Sequence, residues 1–325
     1  MTTNVLVTGG AGYIGSFMVR VLRENDYHPI ILDDLSRSNK SSVPGDVPFF
    51  QGRVSDKTLL SSIHEQYPLV GVIHFAGYIS MKESMEQPAM YFEANTLETL
   101  RLIENMRELG INNVIFSSTA GVYGNPERVP IQEGDRKDPT NPYGESKLMA
   151  EKILEWHHRI FDLNYAVLRY FNACGASMDG TLGEAHVPET HIIPIALRAL
   201  KEEKEFTIYG TDYDTKDGTC VRDYIHVLDL AMAHVLALKK IINEGGGHTY
   251  NVGTGKGYSN REIATTIEKV TGKKLLLREE GRRPGDADEL IADVSKITSE
   301  LNFTPQYSDI ETIIKSAWAW HKDRD

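Results

Sequence analysis

The chain has 325 residues, 41% hydrophobic, with 46 acidic against 35 basic side chains and a formal net charge of −11. That length buries a large core as one large domain or two smaller ones, and the acidic surplus excludes a general binder of nucleic acid. No apolar run approaches the ~20 residues that span a bilayer, and the first strand begins too soon for a signal peptide, so a cytoplasmic protein away from membranes is expected. Cys174 and Cys220, the two cysteines, give neither a disulfide framework nor metal-ligand spacing. Both are expected to be reduced, buried and inert, and no metal site is expected.

Val5-Leu6-Val7-Thr8 predicts a first strand that runs into Gly9-Gly10-Ala11-Gly12-Tyr13-Ile14-Gly15, after which Met18, Val19, Val21 and Leu22 set a helical period. Strand, glycine turn and helix in this order make a phosphate site. The glycines allow a tight turn and close backbone approach, and the helix N-terminus offers unpaired N–H groups to a pyrophosphate. A second strand, Ile30-Ile31-Leu32, ends in Asp33, about 20 residues past the glycines, where a carboxylate takes ribose hydroxyls and repels a 2′-phosphate. That favours NAD over NADP.

A polar loop over 36–48 then leads to a short strand at Phe49-Phe50, a helix over 56–66 and a strand at 70–74. One long amphipathic helix is predicted from Pro88 to about Leu109, with Tyr91, Leu97, Leu100 and Ile103 spaced for burial. Val114-Ile115-Phe116 makes a fifth strand ending in Ser117-Ser118-Thr119. A helix follows from Tyr143 to about Phe161, limited upstream by Pro139 and Pro142, and Ala166-Val167-Leu168 makes a sixth strand. Beyond about 172 the pattern loosens into short helices and strands. The alternation predicts an α/β protein. A doubly wound, Rossmann-like parallel sheet occupies 1–172, with later segments folding back onto it, and a smaller mixed α/β substrate lobe occupies 173–325. Ligands of such sheets sit at the carboxyl ends of the strands, where Gly9, Asp33, Phe75, Ser117 and Asn172 fall. The chain contains no internal repeat.

Tyr143-Gly144-Glu145-Ser146-Lys147 places a phenol and an ammonium one turn apart on one helix face. Free tyrosine titrates near pH ~10. A nearby cation favours the phenolate, and lowering the pKa by about three units takes roughly 4 kcal/mol of differential interaction. One lysine plus one cationic cofactor could supply that. Alone, the pair would read as an exposed Tyr and Lys near a helix start; the dinucleotide signature upstream overturns that reading.

Thr8 to Gly15, Ser117 to Thr119 and Tyr143 to Lys147 together resemble the extended short-chain dehydrogenase/reductase superfamily. Thr8 to Ser16, His74-Phe75-Ala76-Gly77, Leu168-Arg169-Tyr170-Phe171-Asn172, Gly218 to Val227 and Arg282-Arg283-Pro284-Gly285-Asp286 are similar, more narrowly, to the UDP-glucose 4-epimerase family. The likeness spans nearly the whole chain.

It implies a UDP-sugar substrate, a bound NAD, and Tyr143 as the base at the sugar 4-hydroxyl. Lys147 would tune Tyr143 and hold the nicotinamide ribose. Thr119 would hydrogen-bond the reacting oxygen, with Ser117 nearby on the cofactor side. The cofactor would meet Gly9, Gly12, Tyr13, Ile14, Gly15, Asp33, Val54, Phe75, Ala76, Gly77, Asn95 and Tyr170. The substrate would meet Asn172, Arg222 and Arg283 at its phosphates, Asp286 at the uridine ribose, Tyr209 near the uracil, and His191 at the sugar or phosphate. A homodimer through the helices at about 84–109 and 143–161 is also implied. The plainer readings are a capping Asn172, salt-bridged arginines and core His191 and Tyr209.

Three positions depart from the family's pattern. Arg53 stands where an acid often meets the adenine amine, and Ile79 where a lysine is common. Leu290 stands where some relatives carry a tyrosine closing the sugar pocket, so 2-acetamido sugars are expected to fit. A 4,6-dehydratase would need acids beside Thr119, where this chain has Ala120-Gly121. A 4-epimerase of UDP-glucuronate or UDP-xylose, and a non-catalytic dinucleotide sensor, remain alternatives.

Overall fold

The computed structural model describes residues 3–186, 188–283 and 285–324, so Pro284 of the Arg282–Asp286 motif lies outside the described residues. Six strands come first in the chain: β1 (Asn4–Thr8), β2 (His28–Asp33), β3 (Phe49–Gln51), β4 (Leu69–His74), β5 (Asn113–Thr119) and β6 (Asn164–Tyr170). Most are near-continuous apolar runs, as strands covered on both faces must be; Val5, Leu6 and Val7 are fully buried. β1 pairs in parallel with β2 on one side and β4 on the other, so Val7 faces Ile31 and Ile73. The sheet order is Gly247–Val252, β6, β5, β4, β1, β2, β3. Strand order therefore reverses between β1 and β4, and the loops after these two strands flank the crevice where a doubly wound sheet takes its ligand.

The long helix expected over 88–109 is not continuous. It is built as Met81–Glu86, Pro88–Tyr91, a π-helical turn over Phe92–Leu97 and a regular helix Glu98–Glu108. The wide turn carries Asn95, whose side chain bonds both ends of Tyr78 and the hydroxyl of Ser146, while the Thr96 hydroxyl donates to the Ser146 carbonyl. These tertiary bonds override the helical period, and π turns of this kind recur at functional sites.

The chain forms two compact units. The first comprises Met1–Gly124, Lys137–Arg169 and Ala231–Tyr250; the second comprises Asn125–Arg136, Tyr170–Leu230 and Asn251–Asp325. One crossing lies at 169/170, residues 231–250 belong to the first unit, and residues 125–136 belong to the second. The core of the first unit gathers Leu6, Ile30, Leu32, Val72, Leu102, Phe116 and Leu154. That of the second gathers Ile193, Leu197, Phe206, Tyr224, Ile263 and Ile313. The helix Val227–Glu244 and the edge strand Gly247–Val252 went unread in the sequence. Leu230, Ala231, Ala233, Val235, Ala237, Leu238 and Ile241 are all fully buried, so that helix shows no apolar stripe to detect.

Candidate active site

In the first unit β1 delivers the chain into the glycine turn. Gly9 takes φ +69°, and a Cβ there would lie 2.7 Å from the Ala76 nitrogen; a Cβ on Gly15 would lie 2.2 Å from the Gly9 carbonyl oxygen. Only glycine lets the turn pack this tightly and start the helix Tyr13–Glu24 beneath it. Gly12 is the residue before the first turn of that helix, Ile14 is half-buried, and Tyr13 is buried with its ring edge-on to Phe17. Asp33, at the end of β2, accepts from the Ala11 amide (3.0 Å), the Leu35 amide (2.9 Å) and the Ser38 hydroxyl (2.7 Å). These bonds fix its carboxylate beside the glycine turn, the arrangement a dinucleotide's phosphates and ribose require.

Tyr143 occupies the first turn of the helix Pro142–Phe161, capped by Asn141 Oδ1 accepting from the Gly144 amide at 2.9 Å. Gly144 allows that turn to lie on residues 120–123, since a Cβ would come 2.6 Å from the Gly121 oxygen. The Tyr143 side chain is buried, the residue being 9% exposed, and its hydroxyl lies beside the side chain of Thr119, the last residue of β5. Burial pushes the phenol above its ordinary pKa, and the neighbouring Thr119 side chain opposes this.

Lys147 is 3% exposed. Its Nζ donates to the Ser117 carbonyl oxygen at 3.0 Å and lies 5.0 Å from the Phe116 ring centre. Burial lowers its pKa to about 8, with Glu151 pulling the other way. In the protein by itself desolvation of the Tyr143 ring therefore sets the direction of its shift.

Gly77 (φ +153°) runs past both Asn95 and Lys147; a Cβ would meet Asn95 Oδ1 at 2.6 Å and Lys147 Nζ at 3.6 Å. Phe75, Ala76, Gly77, Asn95, Ser117, Thr119, Tyr143 and Lys147 all belong to this unit. The Ala76 amide donates to the Thr8 hydroxyl (3.4 Å), and the Phe75 ring lies 4.9 Å from that of His234. Val54 is part of the hydrophobic core. Arg53 is turned to Glu98, 3.8 Å away, and Ile79 is exposed. Tyr170, at the end of β6, is buried and belongs to the second unit.

Two buried networks here were not read from the sequence. His74 bridges the hydroxyls of Thr8 (2.6 Å) and Thr99 (3.0 Å), and burial, aided by Lys147, drops its pKa to about 3. Glu151, one turn beyond Lys147, accepts from the Ser118 hydroxyl (2.5 Å) and from Arg169 at 3.0, 3.2 and 2.5 Å, while Arg169 also donates to the Tyr123 hydroxyl at 2.9 Å. The four-residue spacing Tyr143, Lys147, Glu151 was the signal for it.

In the second unit Arg222 donates to the carbonyl oxygens of Val221 and Ala287, both at 2.9 Å, and lies 3.5 Å from Asp286. Asp286 also accepts from Arg283 Nε (3.0 Å), and the Arg283 guanidinium stands 5.1 Å over the Tyr209 ring. Leu290 pairs with Arg222 in strand register, and Asn172 donates to the Asp223 carbonyl, the neighbour of Arg222, at 2.9 Å. Two fork-shaped cations, one carboxylate and one aromatic ring therefore converge, which suits a nucleoside diphosphate. His191 Nδ1 lies 2.5 Å from Glu184 and 3.3 Å from Glu189. Cys174 and Cys220 are buried free thiols.

Residues 5–253 match the family described as NAD dependent epimerase/dehydratase. A UDP-glucose 4-epimerase of Streptococcus mutans is 44% identical over 320 residues, 98% of this chain and 96% of its own. Among solved structures, the UDP-glucose 4-epimerase of Brucella ovis in complex with NAD superposes with a TM-score of 0.94 at 45% identity, covering 98% of both chains. The UDP-Glc/GlcNAc 4-epimerase of Campylobacter jejuni gives 0.86 at 38% identity, covering 99% of this chain and all of its own.

Proposed function

Because the chain belongs to the NAD dependent epimerase/dehydratase family and, within it, to the UDP-glucose 4-epimerases, we propose that it interconverts UDP-galactose and UDP-glucose with Tyr143 as the proton carrier. The observation that carries this reading is the buried Tyr143 phenol beside Thr119, with Lys147 buried one turn on and tied to the Ser117 carbonyl.

The glycine turn and Asp33 fit a dinucleotide: a cradle that any Cβ would fill, followed by an anchored carboxylate. NAD held by the glycine turn and Asp33 would supply hydride acceptance from, and return to, C4 of the sugar and a positive charge near the phenol. Tyr143, as phenolate, takes the proton of the 4-hydroxyl while the sugar becomes a 4-ketone, and gives it back to O4 when the ketone is reduced. Thr119 orients that oxygen. Lys147, bonded to the Ser117 carbonyl, would hold the nicotinamide ribose hydroxyls. General acid–base catalysis of this kind contributes about 10²–10⁴-fold. Arg222 and Arg283 would hold the diphosphate, Asp286 the uridine ribose, Tyr209 the uracil and Asn172 the phosphates.

Leu290 leaves more room than a tyrosine would, which supports turnover of 2-acetamido sugars as well; Leu290→Tyr should abolish turnover of UDP-N-acetylglucosamine while sparing UDP-galactose. Exposed Met149, Trp156, Ile160 and Phe161 on the Tyr143 helix, with exposed Leu97 in the π turn, support a homodimer, read by sedimentation of wild type against Trp156→Glu. Among the described residues no helix is long and apolar enough to cross a membrane, in keeping with a cytoplasmic site of action.

The test is to incubate the purified protein with UDP-galactose and no added nucleotide. Equilibration with UDP-glucose supports the reading. Turnover of UDP-glucuronate alone, or of neither sugar, would refute it.

A further inference from the structure

Between the short strand Asn172–Cys174 and the helix Ile192–Lys201 of the second unit, the described residues lie in no helix or strand. The end of this segment reads Glu184-Ala185-His186 and Glu189-Thr190-His191 on either side of residues 187–188. One donor atom from each of Glu184, His186, Glu189 and His191 lies within 4.8 Å of all the others. Adjacent gaps are 2.9 Å (His186 Nδ1 to Glu184 Oε1), 2.5 Å (His191 Nδ1 to the same oxygen) and 3.3 Å (His191 Nδ1 to Glu189 Oε1). Ligands on a tetrahedral ion at bond lengths of ~2.0–2.2 Å stand about 3.4 Å apart, so small outward movements would seat one.

We propose that Glu184, His186, Glu189 and His191 form a binding site for one divalent transition-metal ion, zinc by its chemistry, that fastens this segment to the start of the helix behind it.

The orientation of His191 favours coordination over a plain ion pair. Its Nδ1 is buried and in contact with carboxylate oxygen, yet it makes no hydrogen bond of acceptable geometry. A buried nitrogen touching an acceptor but not aimed at it is the kind of unsatisfied group that an ion explains. The Glu189 carboxylate and the Glu184 main chain are already braced, as the surroundings of metal ligands usually are. Glu189 Oε1 accepts from the amides of Thr190 (2.7 Å) and His191 (2.9 Å), and the Glu184 carbonyl accepts from Trp320 Nε1 at 3.0 Å. Glu184 itself is buried. Two imidazoles with two carboxylates suit zinc among the common divalent ions, whereas calcium and magnesium prefer oxygen alone. The charges also close, because two carboxylates and two neutral imidazoles balance a dication.

Without a metal the cluster has another way to neutralise. Burial by itself would lower His191, but Glu184 and Glu189 outweigh it and raise the imidazole to about 10; burial would raise Glu184, but the two histidines bring it to about 2. His321, which feels both carboxylates and Arg198, is lowered by burial. A protonated His191 is therefore the competing state, and the experiment separates the two.

Tag-free full-length protein is stripped with chelator, equilibrated with micromolar zinc, gel-filtered and assayed for metal, with NAD content as the check of folding. The expected result is about one zinc per chain and a thermal midpoint that rises with free zinc. In both His186→Ala and Glu189→Gln, metal retention should fall at least about tenfold with NAD content unchanged. Cobalt in place of zinc should give the visible bands of a tetrahedral centre. Wild-type protein that retains no zinc, or variants that retain it as well as wild type, would overturn the proposal and leave the protonated histidine in its place.

Discussion

Glu151→Gln tests whether the buried network behind Lys147 holds the catalytic helix in place. The Glu151 and Arg169 side chains are 8% and 5% exposed. Their three contacts, with the Ser118 hydroxyl on the same carboxylate, tie the Tyr143 helix to β6 and to the end of β5. Glutamine keeps the shape and an acceptor for Ser118 but leaves the Arg169 guanidinium buried without its counter-charge. Breaking a buried pair from one side costs about 3–5 kcal/mol, or roughly two to three and a half powers of ten in the unfolding equilibrium. Urea denaturation followed by circular dichroism measures the loss, and hydrogen exchange of the 142–161 amides localises it to that helix. The paired change Glu151→Leu with Arg169→Met removes both charges and should cost far less than the single one. A loss below about 1 kcal/mol for Glu151→Gln, or a double variant as damaged as the single, would refute the reasoning.

Two further perturbations bear on the cofactor cradle and on pH. Gly15→Ala places a methyl 2.2 Å from the Gly9 oxygen and 2.7 Å from Gly10 Cα. A shift of about 1 Å in a positioned site costs on the order of 10²-fold, so NAD affinity by equilibrium dialysis should fall by that order; unchanged affinity would remove the glycine turn from the cofactor site. Burial holds His74 at a pKa of about 3 and His226 at about 4, against ~6.5 in the unfolded chain. Between those values the unfolded chain takes up protons that the fold refuses. Stability is therefore lost as pH falls below about 6.5, by up to roughly 1.4 kcal/mol per pH unit for each histidine. His226→Asn should flatten the difference between denaturation midpoints at pH 7 and pH 5; a difference equal to that of wild type would contradict this.

The Rossmann half was legible because its strands are apolar runs bounded by glycines and acids, and because Tyr143, Lys147 and Asp33 sit at strand and helix ends that local patterning fixes. The π turn was not. Tyr91, Leu97, Leu100 and Ile103 keep a helical spacing, and what widens the turn is the bonding of Asn95 to Tyr78 and Ser146, remote in sequence. Glu151 could be read as the next residue on the Tyr143 face, but its partner Arg169 comes from a strand that only the tertiary fold brings alongside. The Glu184–His191 cluster lies in a segment with no period to mark it. The contact of His191 with two carboxylates comes only from the fold. Arg222 and Arg283 were legible as residue types, and their convergence on Asp286 only from the fold.

The phenol of Tyr143 is the group on which the proposed chemistry turns, and Tyr143→Phe removes its oxygen alone from a buried ring. Epimerisation of UDP-galactose should fall about 10²–10⁴-fold while each chain keeps its NAD. A variant that retains its cofactor and turns over within about tenfold of wild type would contradict the assignment of Tyr143 as proton carrier.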